Sequence, residues 1–146
     1  MFAYFNTINW PMVYVNFDLN QLSDESFEKY TIDYLAILIK AQTEKIKLIL
    51  VYNLDNMKLP ISYIKKQAAF NKTVKDHNTN HIGFVCVVSE NRLLKSILKM
   101  FFSIQKDSNT CKVFKTHNEV SNYLSQNFGI ITNFSNENKM NYDNTI

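Results

Sequence analysis

Two short runs of aromatic and β-branched residues open the chain, Phe2 to Thr7 and Met12 to Phe17, interrupted by Asn9-Trp10-Pro11. In the second run Val13 and Val15 alternate with Tyr14 and Asn16, the period-two signal of a strand with one wetter face. Two antiparallel strands joined near residues 8–10 are the simplest arrangement. Pro11 suits the first residue of a strand or a sheet edge.

The period then changes to that of a helix, predicted over residues 23–43. Ser23 can cap it, and Asp24 and Glu25 stand in the first turn, where the helix dipole favours anions. Phe27, Tyr30, Tyr34, Leu38 and Ala41 recur at helical spacing. Ile32, Leu35 and Ile39 form a second stripe, so the later half is apolar over most of its circumference. An amphipathic helix needs only a little more than 100° of apolar arc to face a core. The excess predicts a second contact, made either by the tail residues Ile130, Ile131 and Phe134 or by a partner.

Ile46 to Tyr52 is a nearly continuous run of Leu, Ile and Val, the pattern of a strand buried on both faces of a parallel sheet. A polar turn from Asn53 to Asn56 leads to Pro60, placed to open a helix over 60–77. Ile82 to Val88 is a second buried strand. Ser89 then caps a predicted helix over 90–105, followed by a short strand around Cys111 to Lys115. Thr116 and Glu119 form a capping box for a last helix carrying Val120, Tyr123 and Leu124. The order β-β-α-β-α-β-α-β-α predicts an α/β fold: a mixed, mostly parallel sheet of four or five strands with about four helices packed on it. Leu48–Val51 and Phe84–Val88 are expected side by side at its centre. Residues 1–129 make one domain, and the polar, Asn-rich stretch 130–146 reads as an appended tail.

Composition narrows the function. The chain has 146 residues, 46% hydrophobic and 20% charged, with 2 glycines and 2 prolines, the profile of an ordinary globular domain. No apolar run reaches the roughly 18 residues of a membrane span, and Met1 to Asn9 lacks the basic start of a signal peptide. Cys86 and Cys111 have no metal-ligand or disulfide spacing, which predicts reduced thiols and a cytoplasmic location. The net charge of +3 rests on 16 basic residues of which only Arg92 is arginine, and asparagine occurs 19 times. Lys, Asn, Ile, Phe and Tyr share AT-rich codons, so the bias reflects an AT-rich genome. Arginine dominates base contacts and bidentate phosphate recognition, and its near absence argues against specific nucleic-acid binding.

Little in the sequence points to catalysis. There is no nucleophile elbow, and His77, His81 and His117 all fall in turns or caps, where solvated residues are the simplest reading. Gly83 and Gly129 are too few and too far apart for a phosphate loop, and no ligand cluster implies a metal or other cofactor. Three features remain. Asp55 is the only carboxylate at the carboxyl end of a buried strand, where open α/β sheets bind ligands. Ser62 lies in the first turn of the helix that follows, where backbone amides would stabilise a phosphoserine, so Asp55, Ser62 and Tyr63 mark a candidate phospho-site or docking loop. Arg92, Lys95, Lys99 and Lys106 align on one side of helix 90–105, either a solvated face or an anion-binding stripe.

The layout resembles the STAS superfamily, the anti-sigma-factor-antagonist fold, related to the CRAL-TRIO lipid-binding fold. The matching residues are Pro11 to Phe17, Ser23 to Tyr30, Leu48 to Asp55, Leu59-Pro60 with Tyr63, Gln67-Ala68-Ala69-Phe70, Gly83 to Val88, and Phe114-Lys115-Thr116 leading into Glu119-Val120. They span about residues 10–126. The resemblance implies a non-catalytic regulatory or protein-binding module. It also implies a phosphorylated serine near Ser62, although Ile61 and Tyr63 stand where the family has Asp and Gly. Its CRAL-TRIO relatives imply the alternative of a small apolar ligand or lipid, which the 14% aromatic content could surround. A structural subunit of a larger assembly, such as a virion, is the third reading. A protein partner or self-association is expected, with Ile32, Leu35 and Ile39 as the candidate interface.

Overall fold

The structure, a computed structural model, describes residues 2–18, 20, 22–54, 60–78, 82–89 and 111–132. Among them five strands, β1 (Ala3–Asn6), β2 (Met12–Phe17), β3 (Leu48–Asn53), β4 (Ile82–Val88) and β5 (Cys111–Phe114), form one sheet in the order β1-β2-β3-β4-β5. The first pair is antiparallel and the other three are parallel. The protein is thus α/β with a mostly parallel mixed sheet. β3 lies at its centre with β4 beside it, because these are the runs with no polar face to offer water. Three helices are described, α1 (Asp24–Glu44), α2 (Ile61–Asn78) and α3 (His117–Phe128). About four were expected; the helix predicted over 90–105, with Arg92, Lys95, Lys99 and Lys106, lies outside the described residues, as do Asp55 and the tail from 133 onward.

Period-two alternation sorts the strand residues into two cores. Val13, Val15, Leu48, Leu50, Tyr52 and Val87 point to the side carrying α1 and α2, where they meet Tyr30, Tyr34, Leu38, Ala41 and Val74. Met12, Tyr14, Ile49, Val51, Phe84, Cys86, Val88 and Phe114 point to the opposite side, against Val120 and Leu124 of α3. That α1 and α2 share one side is what successive crossovers of one hand require when the strands advance in one direction across a sheet.

Local chemistry sets the helix ends. Ser23 Oγ accepts from Ser26 N and Ser26 Oγ accepts from Ser23 N, both at 3.0 Å, a reciprocal capping box at the start of α1. At its other end Lys45 adopts the left-handed conformation (φ 56°), which turns Ile46 N onto Ala41 O at 3.0 Å. Ile46 therefore finishes the helix cap instead of starting the strand, and β3 begins two residues later than its apolar run. Thr116 caps α3 as expected, its Oγ1 accepting from Glu119 N at 3.2 Å. The Glu119 carboxylate, however, accepts from Lys115 N at 2.9 Å, because that amide follows the last residue of β5 and needs a partner. Gly83 falls beside the irregularity in β3–β4 pairing at Leu48/Ile49, where an added Cβ would stand 3.1 Å from Lys47 Cβ.

Candidate functional site

The outer face of α1 is the first candidate surface. Its inner stripe, Tyr30, Tyr34, Ile37, Leu38 and Ala41, is buried. Steps of three and four residues place Ile32, Leu35, Ala36 and Ile39 together on the opposite face. All four are exposed, with Ile32 at 59%, Leu35 at 42% and Ile39 at 58%. The tail does not cover them in the part that is described. Ile130 packs on the far side of the sheet, against the α3 core, and Ser121 Oγ hydrogen-bonds Thr132 Oγ1 at 2.9 Å. Ile131 is 89% exposed. The helix-to-tail alternative is corrected for these residues: Gly129 (φ 65°) ends α3 with Ile130 N on Leu124 O, which directs the chain along the α3 side. Phe134 lies outside the described residues.

A second candidate lies at the carboxyl ends of the parallel strands, on the α3 side. Tyr14 OH and His117 Nε2 are 2.8 Å apart, and Asn53 Nδ2 donates to Asn16 Oδ1 at 3.1 Å. Tyr14 and Asn16 share a face of β2, and the β2–β3 register puts Asn16 opposite Asn53. His117 is the first residue of α3, held there by the Thr116 cap. Its reading as a solvated cap residue is corrected: it is half-buried and engaged with Tyr14. The polar residues of the two strand ends were visible in sequence as interruptions of apolar runs. Only the register showed that they adjoin. The site offers amides, a phenol and an imidazole, groups suited to hydrogen bonding. Among the described residues no three His, Cys, Asp or Glu side chains gather as a metal would require.

The predicted phospho-loop is divided by the fold. Ser62 is exposed in the first turn of α2. Tyr63 is half-buried and meets Phe2 and Phe27 at ring separations of 5.7 and 6.2 Å, so it serves the α1–α2 core. Lys66, one turn on, ion-pairs with Asp24 and ties α2 to the start of α1; the hydrogen bond from Lys66 raises its own pKa above the usual lysine value.

The aromatic side chains between α1, α2 and the sheet meet one another. Tyr30 contacts the rings of Phe2, Phe5, Phe17, Phe27, Tyr34 and Phe70 at centroid separations from 5.1 to 6.2 Å. Within this cluster Tyr30 OH and Gln67 Oε1 are buried and neither makes a hydrogen bond of good geometry, although Tyr30 stands beside both Gln67 and Tyr52. Burial raises the Tyr30 pKa, with the adjacent Tyr34 adding to it, and pushes Tyr34 up to about 12. Both cysteines are free thiols, raised to about 12 chiefly by burial. Cys86 sits in the α3 core, whereas Cys111 packs against the α1–α2 core, so neighbouring strands hold them on opposite faces.

No protein-family model, no curated protein and no solved structure matches this chain. No helix among the described residues is long and apolar enough to cross a membrane.

Proposed function

We propose that this chain is a non-catalytic, STAS-like protein-binding module of the cytoplasm that docks through the outer face of α1. The observation that carries the reading is the strip Ile32, Leu35 and Ile39, three branched apolar side chains exposed on one helix face. Scattered apolar residues are normal on a protein surface, but a contiguous patch marks an interaction site. Burying such a side chain contributes about 1.5–3 kcal/mol, enough for three of them to anchor a partner. The element order supports the STAS-like assignment, an antiparallel strand leading into parallel strands joined by helices. Mutual contact of the aromatic rings favours docking over the apolar-carrier alternative, since rings that fill space against each other do not line a cavity.

Affinity capture with the full chain tests this reading. Proteins retained by the wild type and lost with Ile32→Lys/Ile39→Lys support it. Identical proteins with both baits would show that the strip is not the docking surface. Retained lipid in place of protein would move the function to the apolar-ligand class.

A further inference from the structure

α1 and α2 share one side of the sheet but hold to it unequally. α1 buries an apolar stripe, Tyr30, Tyr34, Ile37, Leu38 and Ala41. Of the described α2 side chains, Gln67 and Val74 are buried, while Tyr63, Ile64 and Phe70 are half-buried. Gln67 is polar, and its amide nitrogen donates to Asn71 Oδ1 at 2.8 Å, a bond that ties α2 to itself and not to the sheet. Its Oε1 and the neighbouring Tyr30 OH of α1 are both buried without a hydrogen bond of good geometry. Among the described residues the ion pair joining the two helices, Lys66 with Asp24, is exposed to water, where such pairs contribute little. α2 also has weak local support. Its first turn carries no acid, and Asn71, Thr73 and Val74 have low helix propensity.

We propose that α2 is a lid, opening from α1 and the sheet as a unit while the strands stay paired. Closed, it covers an aromatic surface: Tyr63 stands 5.7 Å from the Phe2 ring and 6.2 Å from Phe27, and Phe70 stands 6.2 Å from Tyr30 and 5.3 Å from Tyr34. Opening gives up these contacts and returns Tyr30 OH and Gln67 Oε1 to water. The desolvation cost that the closed state carries at both atoms is thereby recovered, and it offsets part of the apolar area lost. Elements with few buried apolar contacts open at the low end of a protein's range of local stabilities. The lid is independent of the docking strip, which lies on the opposite face of α1 and stays exposed whether α2 is open or closed.

Native-state hydrogen exchange of the full chain, read amide by amide, tests the lid. In the wild type the α2 amides should exchange at least about tenfold faster than those of β3, because they exchange through opening of α2 alone. Low concentrations of urea should speed β3 exchange more steeply than α2 exchange, since opening one helix exposes less surface than global unfolding. Tyr30→Phe/Gln67→Leu keeps the packing volumes and removes both poorly bonded groups. It should slow α2 exchange at least about tenfold, equivalent to about 1.4 kcal/mol. If the double variant does not fold, Tyr30→Phe alone should slow α2 exchange about fivefold. α2 amides as slow as those of β3, the same urea dependence in both elements, or an α2 rate that the substitutions leave unchanged would each overturn the proposal.

Discussion

Tyr14 and His117, 103 residues apart in sequence, meet with phenol oxygen and imidazole Nε2 at 2.8 Å. Tyr14 is 2% exposed, so its hydroxyl has left water and depends on protein partners. Tyr14→Phe keeps the ring against the α3 core and removes that hydroxyl. It should destabilise the protein by about 1–2 kcal/mol, the usual cost of deleting one partner of a buried hydrogen bond. Urea denaturation checks this, and an unchanged midpoint would show that the contact contributes nothing to the fold.

Tyr30→Phe should behave in the opposite way. Tyr30 is 1% exposed, and its hydroxyl, although it stands beside Tyr52 and Gln67, makes no hydrogen bond of good geometry. An unsatisfied buried hydroxyl carries a desolvation cost of about 1–3 kcal/mol, which the substitution removes while keeping the ring contacts. The variant should melt at or above the wild-type temperature. A clear drop would mean that the hydroxyl is satisfied in solution.

Stability should fall at alkaline pH. Folded-state values of about 12 for Tyr34, Cys86 and Cys111 stand above the ordinary 10.0 and 9.0. The folded protein therefore holds these protons more tightly than the unfolded chain does. Their contribution is complete below the unfolded values and is lost as pH rises through the folded ones, a window from about pH 9 to about 12. Tyrosinate absorbance from the buried tyrosines should appear together with the loss of far-ultraviolet dichroism. Ionisation of all 8 tyrosines while the dichroism stays native would contradict this.

The two left-handed helix ends predict opposite glycine effects. Gly129 (φ 65°) ends α3 in open space, so Gly129→Ala adds no clash but places a Cβ where the backbone disfavours it. A loss of about 1–2 kcal/mol is expected. Lys45 (φ 56°) already bears that strain, and Lys45→Gly should gain up to about 1 kcal/mol after the entropy of the freer unfolded chain is deducted. Thermal melts of the two variants should shift in opposite directions; shifts of the same sign would refute the assignment of strain to these turns.

Much of the fold was legible because its signals are local. The alternation of Val13 and Val15 with Tyr14 and Asn16 announced a strand, and the structure sends Val13 and Val15 to α1 and α2 and Tyr14 to α3, which buries Tyr14 on the face expected to be wetter. Ser23 and Thr116 were readable as caps because capping joins residues three apart. The apolar runs that became β3 and β4 implied strands covered on both faces, hence interior positions in the sheet. The candidate site was less legible. Asn16 read as part of the wetter face of its strand and Asn53 as the start of a polar turn; Asn53 is instead the last residue of β3, and its contact with Asn16 depends on a register that only pairing establishes.

Hydrophobic periodicity and capping chemistry alone therefore determined which segments are strands and helices, because those preferences act over a few residues. They also revealed that α1 carries more apolar surface than one core contact requires. Which of its stripes the core would take was a matter for the tertiary structure. Packing on the sheet buries Tyr30, Tyr34 and Leu38 and leaves Ile32, Leu35 and Ile39 outside. The same holds for His117, read along the chain as a solvated cap and brought to Tyr14 by the placement of α3 across the sheet. Sequence spacing cannot supply such contacts, since strand order and register decide which distant residues become neighbours.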